Sequence, residues 1–285
     1  TRYWRDWSSD VCSSDLRSLP RSILKALAEV LNECESQGCW PKSMGCPIIA
    51  LIPKEGAAHE GEMRPIALLP YVYRVWMCVR KKDVEFWAKG LRGGKYKAAE
   101  DLAWELAARA EAARANGKQF MATFLDCSTC YERVKHNLAG MRAKETGCSD
   151  AVINLAMDMY ARPRIAQVHG ANSRPVEVNR GILAGCGFAV HFLKAIIIGI
   201  LHESPVDSRD YVDDMVLHNT TDTTEQGVID MGEALEAVSV ALEGIGQQLN
   251  RAKECVYIEK AKGRKLWAKI HPGYQGGVEI GRAHV

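Results

Sequence analysis

Two short apolar segments that carry aspartates constrain the fold of this chain more than any other feature. The first, residues 120–125, is followed directly by Asp126, and the second, residues 209–218, surrounds the tetrapeptide YVDD at residues 211–214. Short apolar runs are typical of buried strands, so we predict one strand that ends at Asp126 and two very short strands around the aspartate pair. This arrangement would bring carboxylates from distant parts of the chain to the ends of neighbouring strands.

The rest of the chain alternates helical and strand patterns. Apolar residues at helical spacing predict helices over residues 22–35, 98–116, 150–160, 188–201 and 224–244. Short β-branched runs beside turn residues predict strands over residues 47–53, 64–69, 164–169, 174–178, 255–258 and 265–270, with residues 64–69 as the hairpin partner of residues 47–53. Because no glycine-rich phosphate loop accompanies this alternation, an α+β fold is favoured over a doubly wound nucleotide-binding fold.

Composition excludes several classes of protein. The chain has 285 residues, of which 47% are apolar and 25% charged, as in an ordinary globular protein. Its longest apolar run, residues 192–201, is interrupted by Lys194 and is too short to cross a bilayer, and no stretch resembles a signal peptide. The ten cysteines form no compact disulfide framework, which favours free thiols in a reducing compartment. We therefore expect an intracellular protein, nuclear or cytoplasmic, with no membrane partner.

Two further patterns are weak indicators of a ligand. The net charge of +2 does not indicate a nucleic-acid binder, although basic clusters at residues 80–82, 89–97 and 260–269 could face phosphates. Cys127, Cys130 and His136 have a spacing that zinc sites use. Because no second cysteine pair is suitably placed, we favour thiols packed between elements over a zinc site.

Both ends of the chain are expected to be foreign to the natural protein. Residues 1–16 read TRYWRDWSSDVCSSDL, and the DNA that would encode them resembles an indexed primer and adapter used in short-read sequencing. Residues 279–285, EIGRAHV, likewise resemble the translated complementary adapter. Such segments have to be set aside before the fold is considered. We therefore expect the genuine insert to run from about residue 17 to about residue 278, without its natural termini.

Carboxylates at two strand ends suit metal-assisted phosphoryl transfer. Joining a nucleotide to a DNA end needs two divalent ions that lower the charge on the attacking and leaving oxygens, and Mg²⁺ prefers carboxylate ligands. Because neighbouring strand residues point to opposite faces, Asp213 is predicted to be the better partner of Asp126, with Asp214 placed further out. An aspartate pair after a tyrosine also arises by chance, so this spacing alone is a weak indicator.

The residues around these aspartates resemble the reverse transcriptases of non-LTR retrotransposons. The tetrapeptide YVDD resembles their motif C, and residues 124–136, FLDCSTCYERVKH, are similar to their motif A. The resemblance implies that Asp126, Asp213 and Asp214 are catalytic and bind two Mg²⁺ ions, with Mn²⁺ as an alternative. It also implies that Tyr131 blocks a ribose 2′-hydroxyl and so selects deoxyribonucleotides.

Further motifs follow in the order of that family over about residues 40–258. Residues 51–56, LIPKEG, and 64–69, RPIALL, resemble the fingers motifs. They imply that Lys54 and Arg64 hold the incoming triphosphate, which suits the point charge of lysine and the forked donor of arginine. The similarity of residues 246–253, GQQLNRAK, to motif D implies that Lys253 protonates the leaving pyrophosphate.

Motif B is the main departure from the family pattern. The family usually has a glutamine and a proline where this chain has Ala184 and Gly187, and Ala184 cannot supply an amide. Gly185 still allows the backbone to approach template or nucleotide closely, so it is retained as a substrate-binding residue. Glu132 replaces the more common aspartate after the motif A aromatic and keeps its charge.

The resemblance implies a polymerase right-hand fold, with an α+β palm whose antiparallel sheet is backed by helices and with a fingers subdomain. The fingers would span residues 17–119, the palm residues 120–258, and the start of the palm-to-thumb region residues 259–278. The implied function is RNA-directed DNA polymerase, with RNA template, DNA primer and dNTPs as partners. Two alternatives stay open: an inactive nucleic-acid-binding relic, and an RNA-dependent RNA polymerase, against which Tyr131 argues.

Overall fold

The computed structural model describes residues 18–53, 63–91, 99–168 and 170–279. The described residues form two compact units. Those up to Gly90, together with those of Tyr131–Phe192, form the first unit, and those of Leu91–Cys130 and from Leu193 onward form the second. The limits given above for fingers and palm follow sequence motifs and stay predictions. Lys54, residues 1–16 and residues 280–285 lie outside the described residues.

The described elements alternate along the chain much as the periodicities predict. The helices are α1 (Arg21–Gln37), α2 (Tyr71–Gly90), α3 (Ala99–Ala115), α4 (Cys130–Arg133), α5 (His136–Glu145), α6 (Asp150–Ala161), α7 (Ala189–Leu201), α8 (Thr224–Gly244) and α9 (Ala261–Ile270). The strands are β1 (Ile48–Pro53), β2 (Met63–Leu68), β3 (Gln119–Leu125), β4 (Ile165–Val168), β5 (Ala171–Asn172), β6 (Asp207–Tyr211), β7 (Asp214–Thr221), β8 (Cys255–Ile258) and β9 (Gly277–Glu279).

The first unit contains a small sheet with the strand order β2-β1-β4-β5. Strands β1 and β2 are antiparallel, with Ile48 opposite Leu68, which confirms the predicted hairpin. Buried aromatic rings form the core beside them: Trp76 meets Trp40 and Phe188 edge to face at 5.5 and 5.6 Å between ring centres. Such perpendicular ring pairs add to the free energy gained by burying apolar surface.

The second unit contains a five-stranded sheet with the order β6-β7-β3-β8-β9 and β3 at its centre. Helix α3 covers one face, where Phe120 and Ala122 of β3 join the apolar cluster of Leu102, Leu106, Ala110, Ala113 and Val216. Helix α8 covers the other face, where Gly227 of the helix lies close to the side chain of Met121 on β3. The alternation of side chains along β3 therefore supplies two apolar faces, and the strand is buried.

Two strand predictions are wrong. Residues 265–270 lie in helix α9, because buried Gly263 and Trp267 are one helical turn apart and pack the helix inward. A Cβ atom on Gly263 would lie 2.5 Å from Ile258 Cγ2, so only glycine allows this approach. Residues 174–178 form no strand either; Val176 makes an isolated bridge to Arg164, while β5 takes the place beside β4.

Lys194, the charge within the apolar run of helix α7, has a buried partner. Its ammonium group lies 3.7 Å from the carboxylate of Asp210 on β6. Burial raises the pKa of Asp210, and the attraction of Lys194 opposes that rise. The lysine thus compensates a carboxylate that the fold removes from water. No helix in the described part of the chain is long and apolar enough to cross a bilayer.

Candidate active site

The register of two antiparallel strands brings the predicted carboxylates together. Strand β3 pairs with β7 from Gln119 opposite Thr221 to Leu125 opposite Met215. Asp126 follows the last residue of β3, and Asp214 is the first residue of β7. The two carboxylates therefore lie side by side at one end of the sheet, although 88 positions separate them in the sequence.

The hairpin between β6 and β7 is tight and strained at its tip. Tyr211 pairs with Asp214, so only Val212 and Asp213 lie between the strands. Val212 has a φ of 61°, a left-handed conformation that a β-branched residue rarely adopts. Such a conformation costs on the order of 1–3 kcal/mol and is found mostly where the surrounding fold imposes it, often at functional sites.

A loop after helix α8 holds Asp126 through backbone and side chain. The backbone N–H of Asn250 donates to the Asp126 carbonyl at 2.8 Å. The side-chain Nδ2 of Asn250 donates to Asp126 Oδ2 at 3.1 Å. The Lys253 ammonium lies 3.0 Å from the same carboxylate oxygen. Next to these contacts, Ser128 donates its backbone N–H to Gln248 at 2.8 Å. The strand end and the loop are thus joined along several residues.

An ion pair with a buried carboxylate anchors the far side of this loop. The side chain of Glu254 is only 1% exposed, and Arg251 lies 2.7 Å from its Oε2. The side chain of the preceding residue, Lys253, is 67% exposed. Because a buried carboxylate needs a partner, this pair fixes the loop backbone while Lys253 reaches the surface next to Asp126.

The carboxylates line a cleft of about 300 Å³ in the second unit. Asp126, Asp214 and Lys253 form its polar side. Its apolar side includes Phe124, which is 40% exposed, and residues of helix α3 such as Leu102 and Leu106. The cleft thus combines charged side chains with an apolar wall.

Negative charge accumulates at this end of the sheet. Although Asp214 is an exposed residue, partial desolvation of its carboxylate raises its pKa, and so do the carboxylates of Asp213 and Asp126. Lys253 opposes the rise. Within the described residues no three His, Cys, Asp or Glu side chains already stand together as a metal cage. The donors nevertheless suit a divalent cation, since the carboxylates repel one another and the ammonium group of Lys253 already lies 3.0 Å from Asp126.

Asp214 lines the cleft with Asp126, and Asp213 lies in the adjoining turn. That Asp213 is the better partner of Asp126 stays a prediction. The alternation of side chains holds within a strand, but Asp213 lies in the turn, where it does not apply. Asn250 is the residue that sequence reasoning missed. Its only signal is its position three residues before Lys253 within the motif D segment.

The other predicted substrate residues belong to the first unit. Arg64 is exposed on β2, and Tyr131 is half-buried on α4, where its carbonyl accepts from Ile182 at 2.9 Å. Gly185 has a φ of 110°, and a Cβ atom there would lie 2.7 Å from the Ala67 carbonyl oxygen. The structure thus gives Gly185 a structural reason to be glycine: the motif B turn packs against β2.

The chain has the right-hand fold of template-directed polymerases, in which a sheet with helices on both faces carries carboxylates at a hairpin tip. Residues 52–266 match the family model described as reverse transcriptase (RNA-dependent DNA polymerase), so the chain belongs to that family. None of the curated proteins matches the chain in sequence.

Solved structures with the same fold include telomerases of two yeasts. Apo telomerase of Candida tropicalis has a TM-score of 0.57 at 12% identity, over 86% of this chain and 50% of that one. The form of this telomerase that is truncated from the C-terminal domain has a TM-score of 0.56 at 13% identity, over 84% of this chain and 56% of that one. Candida albicans telomerase with a fragment of telomeric RNA has a TM-score of 0.55 at 14% identity, over 83% of this chain and 46% of that one. The chain thus spans about half the length of these structures, and at such identities the likeness concerns the fold.

Proposed function

We propose that this chain comprises the fingers and palm of an RNA-directed DNA polymerase from a non-LTR retrotransposon. The observation that carries the proposal is the pairing of Leu125 with Met215, which sets Asp126 beside Asp214 at a charged cleft. The retrotransposon origin rests on the fingers motifs at residues 51–56 and 64–69. The limits of fingers (17–119), palm (120–258) and palm-to-thumb region (259–278) belong to the same proposal.

Three carboxylates are the proposed metal ligands. Asp126 and Asp213, aided by Asp214, would hold two Mg²⁺ ions, or Mn²⁺ in their place. Bound there, the ions would lower the charge on the attacking primer hydroxyl and on the leaving oxygen. Lys253 lies at the same cleft with an exposed ammonium group, from which it can donate a proton to the leaving pyrophosphate.

The proposed nucleotide-binding residues are Arg64, Lys54, Tyr131 and Gly185. Arg64, exposed on β2, and Lys54, which lies outside the described residues, would bind the triphosphate. Tyr131 would exclude a ribose 2′-hydroxyl, and Gly185 would let the motif B backbone approach the nucleotide. These roles rest on the resemblance of the motifs to the reverse transcriptase family.

An exposed basic helix supports nucleic acid as the partner. Arg264, Lys265 and Lys269 of α9 are exposed to solvent, whereas Lys262 pairs with Glu225 at 2.7 Å. A polymerase that copies any sequence has to grip phosphates rather than base edges, and exposed cations suit this task. The telomerase structure that contains telomeric RNA adds support for an RNA template, as does the family itself.

Primer extension on an RNA template with Mg²⁺ and dNTPs tests the proposal. We expect Asp126→Asn and Asp214→Asn to lower the rate by at least about a thousandfold, because each removes a proposed metal ligand. Asp222→Asn is the matched control: it removes an exposed carboxylate just beyond the opposite end of β7 and should extend primers normally. Extension by either site variant at the rate of the wild type would disprove the assignment.

A second candidate function is favoured by Ala184. This residue cannot replace the motif B glutamine, yet its carbonyl still accepts from Ala67 at 2.6 Å, so the turn is held without that amide. An inactive relic would therefore keep its fold and bind an RNA–DNA hybrid without incorporation. An RNA polymerase would instead prefer NTPs, so parallel reactions with dNTPs and NTPs separate all three.

A further inference from the structure

We infer that Lys253 is a built-in counter-cation for Asp126, which occupies the carboxylate until a divalent cation binds there. The inference rests on the proposed function, because it assigns Asp126 as a metal ligand. Its basis is the contact of Lys253 Nζ with Asp126 Oδ2 at 3.0 Å, which places a positive charge against a proposed metal ligand. An ammonium group in this position substitutes for part of the charge that the site requires.

Two donors share this one oxygen, and they differ in how firmly they are held. Asn250 Nδ2 lies 3.1 Å from Asp126 Oδ2, and the Asn250 backbone N–H is bonded to the Asp126 carbonyl at 2.8 Å. Lys253 reaches the oxygen at the end of a flexible chain that is 67% exposed. A divalent cation that binds this carboxylate is repelled by the ammonium group of Lys253 but not by the neutral amide of Asn250, so Lys253 is the donor with which it competes. Lys253 is the donor that can leave at the lower cost.

The loop backbone can stay in place when Lys253 leaves. The carbonyl of Asn250 accepts from the backbone N–H groups of Lys253 and Glu254, at 2.9 and 3.1 Å. Glu254 is held in the interior by Arg251. The displacement therefore needs a change of rotamer only, and the freed ammonium remains beside the cleft. Asn250 then acts as a positioning residue that keeps the Asp126 carboxylate oriented during the exchange.

The competition between Lys253 and a divalent cation predicts opposite effects on binding and on catalysis. Lys253→Met keeps the length of the side chain and removes its charge, so the cation no longer displaces a competitor. Mn²⁺ should then bind about two- to fivefold more tightly, the range expected for loss of an exposed ion pair. The same variant should extend primers more slowly, because the proposed proton donor is lost.

The measurement is titration of the full chain with Mn²⁺ in the absence of nucleotide, with free Mn²⁺ followed by electron paramagnetic resonance. Lys253→Arg keeps the charge and should bind Mn²⁺ like the wild type. Lys118→Met is a matched control, since Lys118 is another exposed lysine paired with an aspartate, Asp222 at 3.4 Å. It should not change Mn²⁺ affinity. Asn250→Ala removes the neutral donor and should not tighten binding.

If Lys253→Met binds Mn²⁺ no more tightly than the wild type, the inference is overturned. It is also overturned if Asn250→Ala tightens Mn²⁺ binding as much as Lys253→Met does, because the charge of Lys253 would then not matter. Failure of the proposed function looks different. If the wild type binds no Mn²⁺, or if Asp126→Asn binds it as well as the wild type, the carboxylates are not metal ligands and both ideas fail. Tight binding that depends on Asp126 but not on Lys253 removes the counter-cation alone.

Discussion

Leu125 lies directly opposite Met215 across the two central strands, and this pairing determines which carboxylates meet at the end of the sheet. A slip of one residue would turn every side chain of β7 to the other face and separate Asp126 from Asp214. In the observed register, Phe120 and Met121 are both buried on opposite faces of β3.

Breaking the ion pair between Lys194 and Asp210 should destabilise the fold. Lys194→Met leaves a buried carboxylate without its partner, and we expect a loss of about 2–4 kcal/mol in the free energy of unfolding. Because burial raises the pKa of Asp210, part of the loss should disappear at acidic pH, where the carboxylate is neutral. Urea denaturation measures the effect. The double variant with Asp210→Asn should recover most of the stability, and equal loss in single and double variants would contradict this account.

The buried His218 should make stability depend on pH. Desolvation lowers its pKa to about 4, below the ordinary value of about 6.5 in the unfolded chain. Between these values the unfolded state binds more protons, so stability rises with pH and falls as the pH drops. From pH 7 to pH 5 the loss should be about 2 kcal/mol. His218→Phe should reduce this loss in denaturant titrations, whereas His202→Gln, at an exposed position, should not.

Because Gly185 lies close to the Ala67 carbonyl, alanine substitutions at two glycines of one turn should have very different effects on stability. Gly185→Ala would place a methyl group 2.7 Å from that oxygen at a φ of 110°, and should cost about 2–3 kcal/mol of stability. Gly187 has open space around its Cβ position, so Gly187→Ala should be neutral or slightly stabilising. Thermal unfolding of both variants tests this. Equal effects would mean that the motif B turn is not packed as described.

The basic face of helix α9 should be visible in the salt dependence of binding. Replacing Arg264, Lys265 and Lys269 with glutamine should lower the slope of log affinity against log salt by about two to three for an RNA–DNA hybrid. Fluorescence anisotropy at several salt concentrations measures this slope. A control with the same charge change replaces exposed lysines that have acidic partners, Lys25, Lys81 and Lys144. The prediction fails if both triple variants show the same slope.

Much of the second unit could be predicted from the sequence, because local patterns determine it. The apolar run before Asp126 predicts β3, and the spacing along residues 224–244 predicts α8 with its observed limits. Residues 265–270 are ambiguous, since six residues with four apolar positions fit a strand and a helix alike. Only the packing of Trp267 with Gly263 one turn earlier separates the two, and that is a tertiary effect.

The finer features of the site depend on contacts between distant residues. Asn250 lies 124 positions from Asp126, and an isolated asparagine in a polar loop carries no sign of its partner. The place of Asp214 in the cleft depends on the turn geometry around Val212, which the alternation rule does not include. The approach of Gly185 to Ala67 is of the same kind. Family motifs indicate which residues take part, whereas the backbone decides which of them meet.

The chain passes from one compact unit to the other after Gly90, after Cys130 and after Phe192. Neither unit is therefore a continuous piece of the gene. Anyone who wishes to express the carboxylate-bearing half by itself has to splice residues 91–130 to the region from 193 onward and replace the missing stretch with a linker. A simple truncation, at whichever point it is made, leaves at least one of the two halves incomplete.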